Sequence, residues 1–197
     1  MNRSASLGFM FAFLLIAGCT STQTSSVHPS QVPAAANAAA STFPGQMAAY
    51  TNAQYGFQMD YPAGWVVKEN GTLPGGYSTV VMFEGSRIDN LYTPSIMVHT
   101  ENAGGYTENH FAQNEKQQMT AKYGSGSVLD EGTIKMGGLD AYYLHFRLGL
   151  QGNPEQKGVY LVKDDRYYFI SYATLESDYN TSIKYFDASI ASFKFTS

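Results

Sequence analysis

His99 and Glu101 stand two residues apart in the run PSIMVHTE, residues 94–101. Read as a strand, that run puts both side chains on one face, where an imidazole and a carboxylate can share a divalent ion. His110 and His145 are the histidines that could add a third ligand, while His28 falls in a stretch of very different composition. Two polar residues on the wetted side of a strand are the commoner meaning of such a pair, so no metal or other cofactor is assigned. Nucleophilic catalysis finds even less support. No Gly-x-Ser-x-Gly occurs, and no aspartate stands recognisably behind a histidine. Gly124-Ser-Gly126 is too short for a phosphate loop and lacks its lysine. Asn70-Gly-Thr72 and Asn180-Thr-Ser182 match the glycosylation sequon, which reads as coincidence. No residue is assigned as catalytic, and an enzyme is not expected.

Aromatic side chains are the other group that could bind something. The 15 tyrosines include Tyr142, Tyr143, Tyr160, Tyr167, Tyr168, Tyr172, Tyr179 and Tyr185. They suit a sheet interior, and an exposed set would suit a glycan or a protein surface. Tyr143 and Tyr167 are expected on the less buried face.

The single cysteine, Cys19, carries the clearest chemistry. Arg3 is followed by the ten-residue apolar run Leu7–Ile16, the pattern of an export signal. Ten residues fall short of the roughly 20 that cross a bilayer. The run ends in Leu15-Ile16-Ala17-Gly18-Cys19, which resembles the bacterial lipobox. That resemblance implies a signal peptide over 1–18, cleavage before Cys19, and lipid on its thiol and new amino terminus. A lone cysteine makes no intramolecular disulfide, in keeping with this use. Each buried methylene contributes about 0.8 kcal/mol, so several acyl chains hold a protein at the membrane for good. Thr20 stands where an aspartate would signal retention at the inner membrane. The expected address is therefore the periplasmic face of the outer membrane, or the outer face of the plasma membrane in a Gram-positive source.

Charge separates this region from the rest. No Asp, Glu, Lys or Arg occurs between Arg3 and Asp60. Residues 19–46 are rich in Ser, Thr, Gln, Ala and Pro, with few large apolar groups to offset the entropy of ordering. They read as a tether of roughly 27 residues reaching about 30 Å. The whole chain has 44% hydrophobic and 14% charged residues, a composition that builds a core. Its formal charge of −4 becomes about −5 once Arg3 is removed, which argues against nucleic acid.

One domain, 47–197, remains to be built. Phe57, Met59 and Tyr61 alternate with polar residues up to Pro62, the mark of a half-buried strand. Strands follow at Val66–Lys68, 79–84 and 94–101, then a polar helix near Thr107–Tyr123 capped by Thr107. Phe111, Met119 and Tyr123 are its thin apolar face. Val128–Met136 turns at Gly137-Gly138 into Leu139–Leu150, where Tyr142, Leu144, Phe146, Leu148 and Leu150 point one way and Tyr143, His145 and Arg147 the other. Gly158–Lys163 and Arg166–Thr174 form a hairpin about Asp164-Asp165, and Tyr167–Tyr172 is apolar on both faces, as in a central strand. Tyr179, Ile183, Phe186 and Ile190 recur at helical spacing, with Ser177 or Asp178 as the expected cap. Ser192–Phe195 closes the domain in extended form, Phe193 facing inward. Short links between consecutive strands demand antiparallel pairing, and the helices must cover the faces. The expected class is α+β: an antiparallel sheet of about six to seven strands flanked by helices.

The run YGFQMDYPAGW, the late strand DRYYFISY and the terminal SFKF resemble the PsbP/Mog1/DcrB-like superfamily over roughly residues 50–197. The resemblance implies an α/β/α sandwich and a non-enzymatic role in binding or assembling an envelope protein partner. It transfers no catalytic or metal-binding residue. Binding of a small ligand, a metal or cell-wall glycan is the alternative.

Overall fold

The computed structural model describes residues 45–73, 77–88 and 90–196. The expected signal peptide, Cys19 and the expected tether up to residue 44 lie outside the described residues. The first element is a hairpin in which β1 (Met47–Asn52) pairs antiparallel with β2 (Phe57–Pro62). Phe57 and Met59 are buried at alternate positions of β2, as period two requires. The short β10 (Lys194–Phe195) adds to the other edge of β2, so the two ends of the domain meet in a three-stranded sheet.

The main sheet has seven strands, paired antiparallel throughout. A first meander runs through β3 (Val66–Leu73), β4 (Tyr77–Glu84) and β5 (Ser95–Asn102). The chain then crosses one face as α1 (Glu108–Tyr123) and passes through a short helical turn at Ser125–Ser127. A second meander of β6 (Val128–Met136), β7 (Leu139–Arg147), β8 (Pro154–Lys163) and β9 (Arg166–Leu175) begins at the far edge. It works inward until β9 pairs with β5, which places β9 at the centre of the sheet. The tight turn between β8 and β9 holds Asp164 at φ 52° and Asp165 at φ 57°, the left-handed pair that suits a two-residue hairpin. Helix α2 (Glu176–Ser192) follows directly.

A sheet covered on both faces needs two cores, and the alternation of each strand supplies them. On one face α2 and the small sheet enclose Phe57, Phe83, Ile170, Tyr172, Phe186 and Phe193. On the other, α1 lies over Leu144, Phe146, Tyr160, Tyr167 and Phe169. Adjacent residues of β9 therefore serve opposite cores, and the strand has no polar face to spare. The α/β/α sandwich expected from the sequence is the fold observed.

Several boundaries differ from the expectation. Strand β1 was not anticipated: its Met-Ala-Ala-Tyr run has little amphipathic contrast and is organised by its partner. Tyr50 meets Phe83 edge-on with ring centroids 5.3 Å apart. β7 stops at Arg147, short of Leu150: the Leu148 amide still donates to the Pro154 carbonyl at 2.8 Å, but Pro154 has no N–H to return the bond. β8 starts at Pro154, four residues before Gly158. A proline is tolerated there because the first position of a strand can do without its N–H. α2 has neither expected cap. It begins at Glu176 after an uncapped Leu175, with Glu176 and Asp178 set against the positive end of the helix dipole. Thr107 does cap α1, accepting the His110 amide at 3.3 Å.

Candidate functional site

Helix α1 buries Phe111, Ala112, Glu115 and Met119 against the sheet, residues that share one face at helical spacing. Its third member is the exception in kind. Glu115 is only 6% exposed although it sits where an apolar side chain would ordinarily go. Removal from water favours the neutral acid and raises its pKa to about 8, and the Tyr160 hydroxyl, donating from β8, partly opposes that rise. One carboxyl oxygen, Oε1, is buried without a hydrogen-bond partner. The group borders a shallow surface cleft of about 10 Å³, room for about one water, lined also by Phe111, Asn114, Gln118 and Tyr167. Phe111 and Tyr167 stack with centroids 4.0 Å apart and form its apolar wall.

The strands beneath are shaped to seat these rings. Gly158 of β8 has no side chain because none would fit: a Cβ there would stand 2.6 Å from a ring carbon of Phe169. That close approach lets Phe169 and Tyr160 pack beneath α1 with centroids 5.0 Å apart. A buried carboxyl with a raised pKa at the edge of a surface cleft makes Glu115 the candidate functional residue of this face.

The opposite face of the sheet carries a second polar cluster. Arg147 of β7 lies across from Glu155 of β8 in register. Glu155, 5% exposed, accepts from Arg147 at 3.0 Å and is bonded to the His145 ring at 2.9 Å. Arg147 also reaches Glu176 at 2.6 Å, and His145 stacks on Tyr179 at 4.3 Å. Burial lowers the His145 pKa against the pull of Glu155, so the ring is neutral near pH 7. Every group here has a partner across β7, β8 and the start of α2, which suits fastening the helix rather than taking up a ligand.

His99 and Glu101 do share a face of β5, as the alternation predicted. Their side chains come within 3.7 Å, and His99, almost fully buried, is bonded through Nδ1 to the Ser78 carbonyl at 2.6 Å. His110 is exposed and stacks on Tyr106 at 4.1 Å. His145 faces the other core altogether. Among the described residues no three His, Cys, Asp or Glu side chains gather closely enough to hold an ion.

The tyrosines are mostly interior. Tyr160, Tyr167, Tyr168, Tyr172 and Tyr179 are all buried, while Tyr142, Tyr143 and Tyr185 are half-buried. Tyr167, expected on the less buried face, is 2% exposed because β9 is central and α1 covers it. Tyr143 donates to Asp130 at 2.9 Å, and Tyr142 to Glu131 at 2.9 Å. Cys19 lies outside the described residues. Sequence reading missed Glu115 and the Glu155–Arg147 pair, and named Tyr160 only as one of the clustered tyrosines. The signal for Glu115 was present: it is four residues from both Phe111 and Met119, on the stripe they define.

The architecture is that of an α+β sandwich with two meanders joined by a crossing helix. The chain belongs to the PsbP family, whose sequence profile matches residues 45–195. Two solved structures share the fold. The solution structure of cyanobacterial PsbP (CyanoP) from Synechocystis sp. is 15% identical, with a TM-score of 0.56, over 81% of this chain and 98% of that one. LpqN, involved in cell envelope biogenesis of Mycobacterium tuberculosis, is 13% identical, with a TM-score of 0.53, over 77% of this chain and 91% of that one. No curated protein of described function matches the sequence.

Proposed function

We propose that this PsbP-family chain is a lipid-anchored envelope module that binds a protein partner and does no chemistry of its own. Cleavage before Cys19 and acylation of that residue hold it at the periplasmic face of the outer membrane. Residues 19–46 let the domain stand off the bilayer. The observation that carries the reading is the lipobox-like Leu15–Cys19, followed by an uncharged run that reaches the domain. The involvement of the structurally similar LpqN in envelope biogenesis supports the setting, and the family's fold is compatible with a non-enzymatic module. Among the described residues no helix is long and apolar enough to cross a membrane.

Binding of a small ligand, metal or cell-wall glycan is the second reading, and the cleft at Glu115 is the observation that favours it. Crosslinking in intact envelopes, followed by identification of what co-purifies, separates the two. A discrete protein partner, lost when Cys19→Ser prevents lipidation and keeps the chain from its membrane address, is the expected result. Recovery of a bound glycan or metal with no protein partner would reverse the order.

A further inference from the structure

Among the described residues the two most exposed large apolar side chains are Val66, 58% exposed, and Leu91, 51%. The strand registers place both at one end of the main sheet. Val66 opens β3 opposite Glu84, the last residue of β4, and Glu84 pairs in turn with Ser95, the first residue of β5. Leu91 lies in the link between those two strands, on a turn where its amide donates to the Ile88 carbonyl at 2.9 Å. Trp65 fastens that link to β3. A Cβ at Gly85 would stand 2.9 Å from the Trp65 ring and 3.1 Å from Pro94, so the ring lies against the base of the link. Arg87, in the same link, is exposed.

The chain toward Cys19 departs from this end as well. Gln46 accepts from the Ala63 amide at 3.0 Å, two residues before Trp65, and β1 begins at Met47 opposite Pro62. A tether of roughly 27 residues reaches about 30 Å, so this end is the one held near the surface that the anchor occupies. Its side chains suit that surface. An indole settles where hydrocarbon meets headgroup, exposed aliphatic groups bind in proportion to the area they bury, and an arginine meets lipid phosphate. The carboxylates toward this end are neutralised in pairs, Glu84 with Lys68, and Glu155 and Glu176 with Arg147. We propose that the end of the domain carrying Trp65, Val66, Arg87 and Leu91 docks on the phospholipid surface that holds the anchor. The inference rests on the anchoring reading for what brings that surface close, and it adds which way the domain faces. The β6–β7 and β8–β9 turns then point away from the bilayer, open to a partner. Few apolar groups take part, so the contact is sustained by the local concentration that the tether provides, and the domain lifts off and returns.

The test uses the mature chain, extracted from its envelope and reconstituted in vesicles of phosphatidylethanolamine and phosphatidylglycerol with no other protein. Trp65 is the only tryptophan of the chain, so its emission reports on this end alone. Flotation of the vesicles reads the anchoring, and quenching of Trp65 by phosphatidylcholine brominated on its acyl chains reads the docking. Should the extracted chain carry no lipid, its one thiol, Cys19, is coupled to a maleimide phospholipid, and the docking is read whichever way the anchoring falls. Brominated vesicles should lower the emission by at least about one third, and Val66→Asp and Leu91→Asp should each weaken that quenching at least about twofold while flotation is unchanged. Leu139→Asp, an exposed position on the β6–β7 turn at the far end, should leave the quenching as it was. A chain that floats with Trp65 unquenched would overturn the docking and leave this end to a protein. Quenching that survives both Val66→Asp and Leu91→Asp, or that falls equally with Leu139→Asp, would overturn the choice of face.

Discussion

Replacing Glu115 with glutamine should change how the stability of this protein depends on pH, and by an amount the structure sets. The carboxyl of the folded chain titrates near 8, against about 4.5 when exposed. Between those values the folded state holds a proton that the unfolded chain has released. Stability from this group is therefore complete below about pH 4.5 and is lost progressively as pH rises toward 8. Each pH unit in that window corresponds to about 1.4 kcal/mol, so by pH 7 the loss is on the order of 3 kcal/mol. Glu115→Gln keeps the side chain's size and an acceptor for the Tyr160 hydroxyl, and it does not titrate. Urea unfolding of both forms from pH 4.5 to 8.5 isolates the effect, because every other group cancels in the difference. The two should nearly coincide at pH 4.5, with the variant more stable by about 3 kcal/mol at pH 7, or roughly 6–12 °C in Tm for a domain of this size. A constant offset, or parallel curves, would refute the burial of this carboxyl and the cleft built around it.

Other consequences follow from the same geometry. His145 has a lowered pKa, so its contribution is present above its ordinary value of 6.5 and is lost as pH falls below it. Thermal melts of His145→Gln should accordingly show a flatter acid limb than the unaltered chain. Gly158→Ala would drive a methyl group into the Phe169 ring and should cost about 1–3 kcal/mol by chemical denaturation, although alanine is otherwise harmless in a strand. Phe111→Ala removes half of the stacked wall over Tyr167 and should cost about 3–5 kcal/mol in the same assay, with greater solvent exposure of Tyr167.

What could be read from the sequence was what local periodicity encodes. Tyr142, Leu144 and Phe146 alternate cleanly because one core needs them, and Tyr179, Ile183, Phe186 and Ile190 keep helical spacing for the other. Tyr167–Tyr172 declared a central strand by being apolar on both faces, and β9 is central. The same observation should have kept Tyr167 from the less buried face, since a strand covered on both sides has none. The start of β8 was hidden because Glu155 and Gln156 look like loop residues. They are buried only because Arg147 and His145, brought alongside by pairing, supply partners for Glu155. Glu115 was hidden for a similar reason. On a helix this polar, one more acid reads as solvent-facing, and only the sheet beneath makes it interior. Long-range pairing decided each of these, and no local pattern announces it.

The most direct measurement is the intact mass of the mature chain extracted from its own envelope with detergent. The expected species begins at Cys19 and carries a thioether-linked diacylglycerol with a further acyl group on its amino terminus, and Cys19→Ser accumulates uncleaved and free of lipid. A chain that retains residues 1–18, or one cut there with an unmodified Cys19, would contradict a lipid-anchored module.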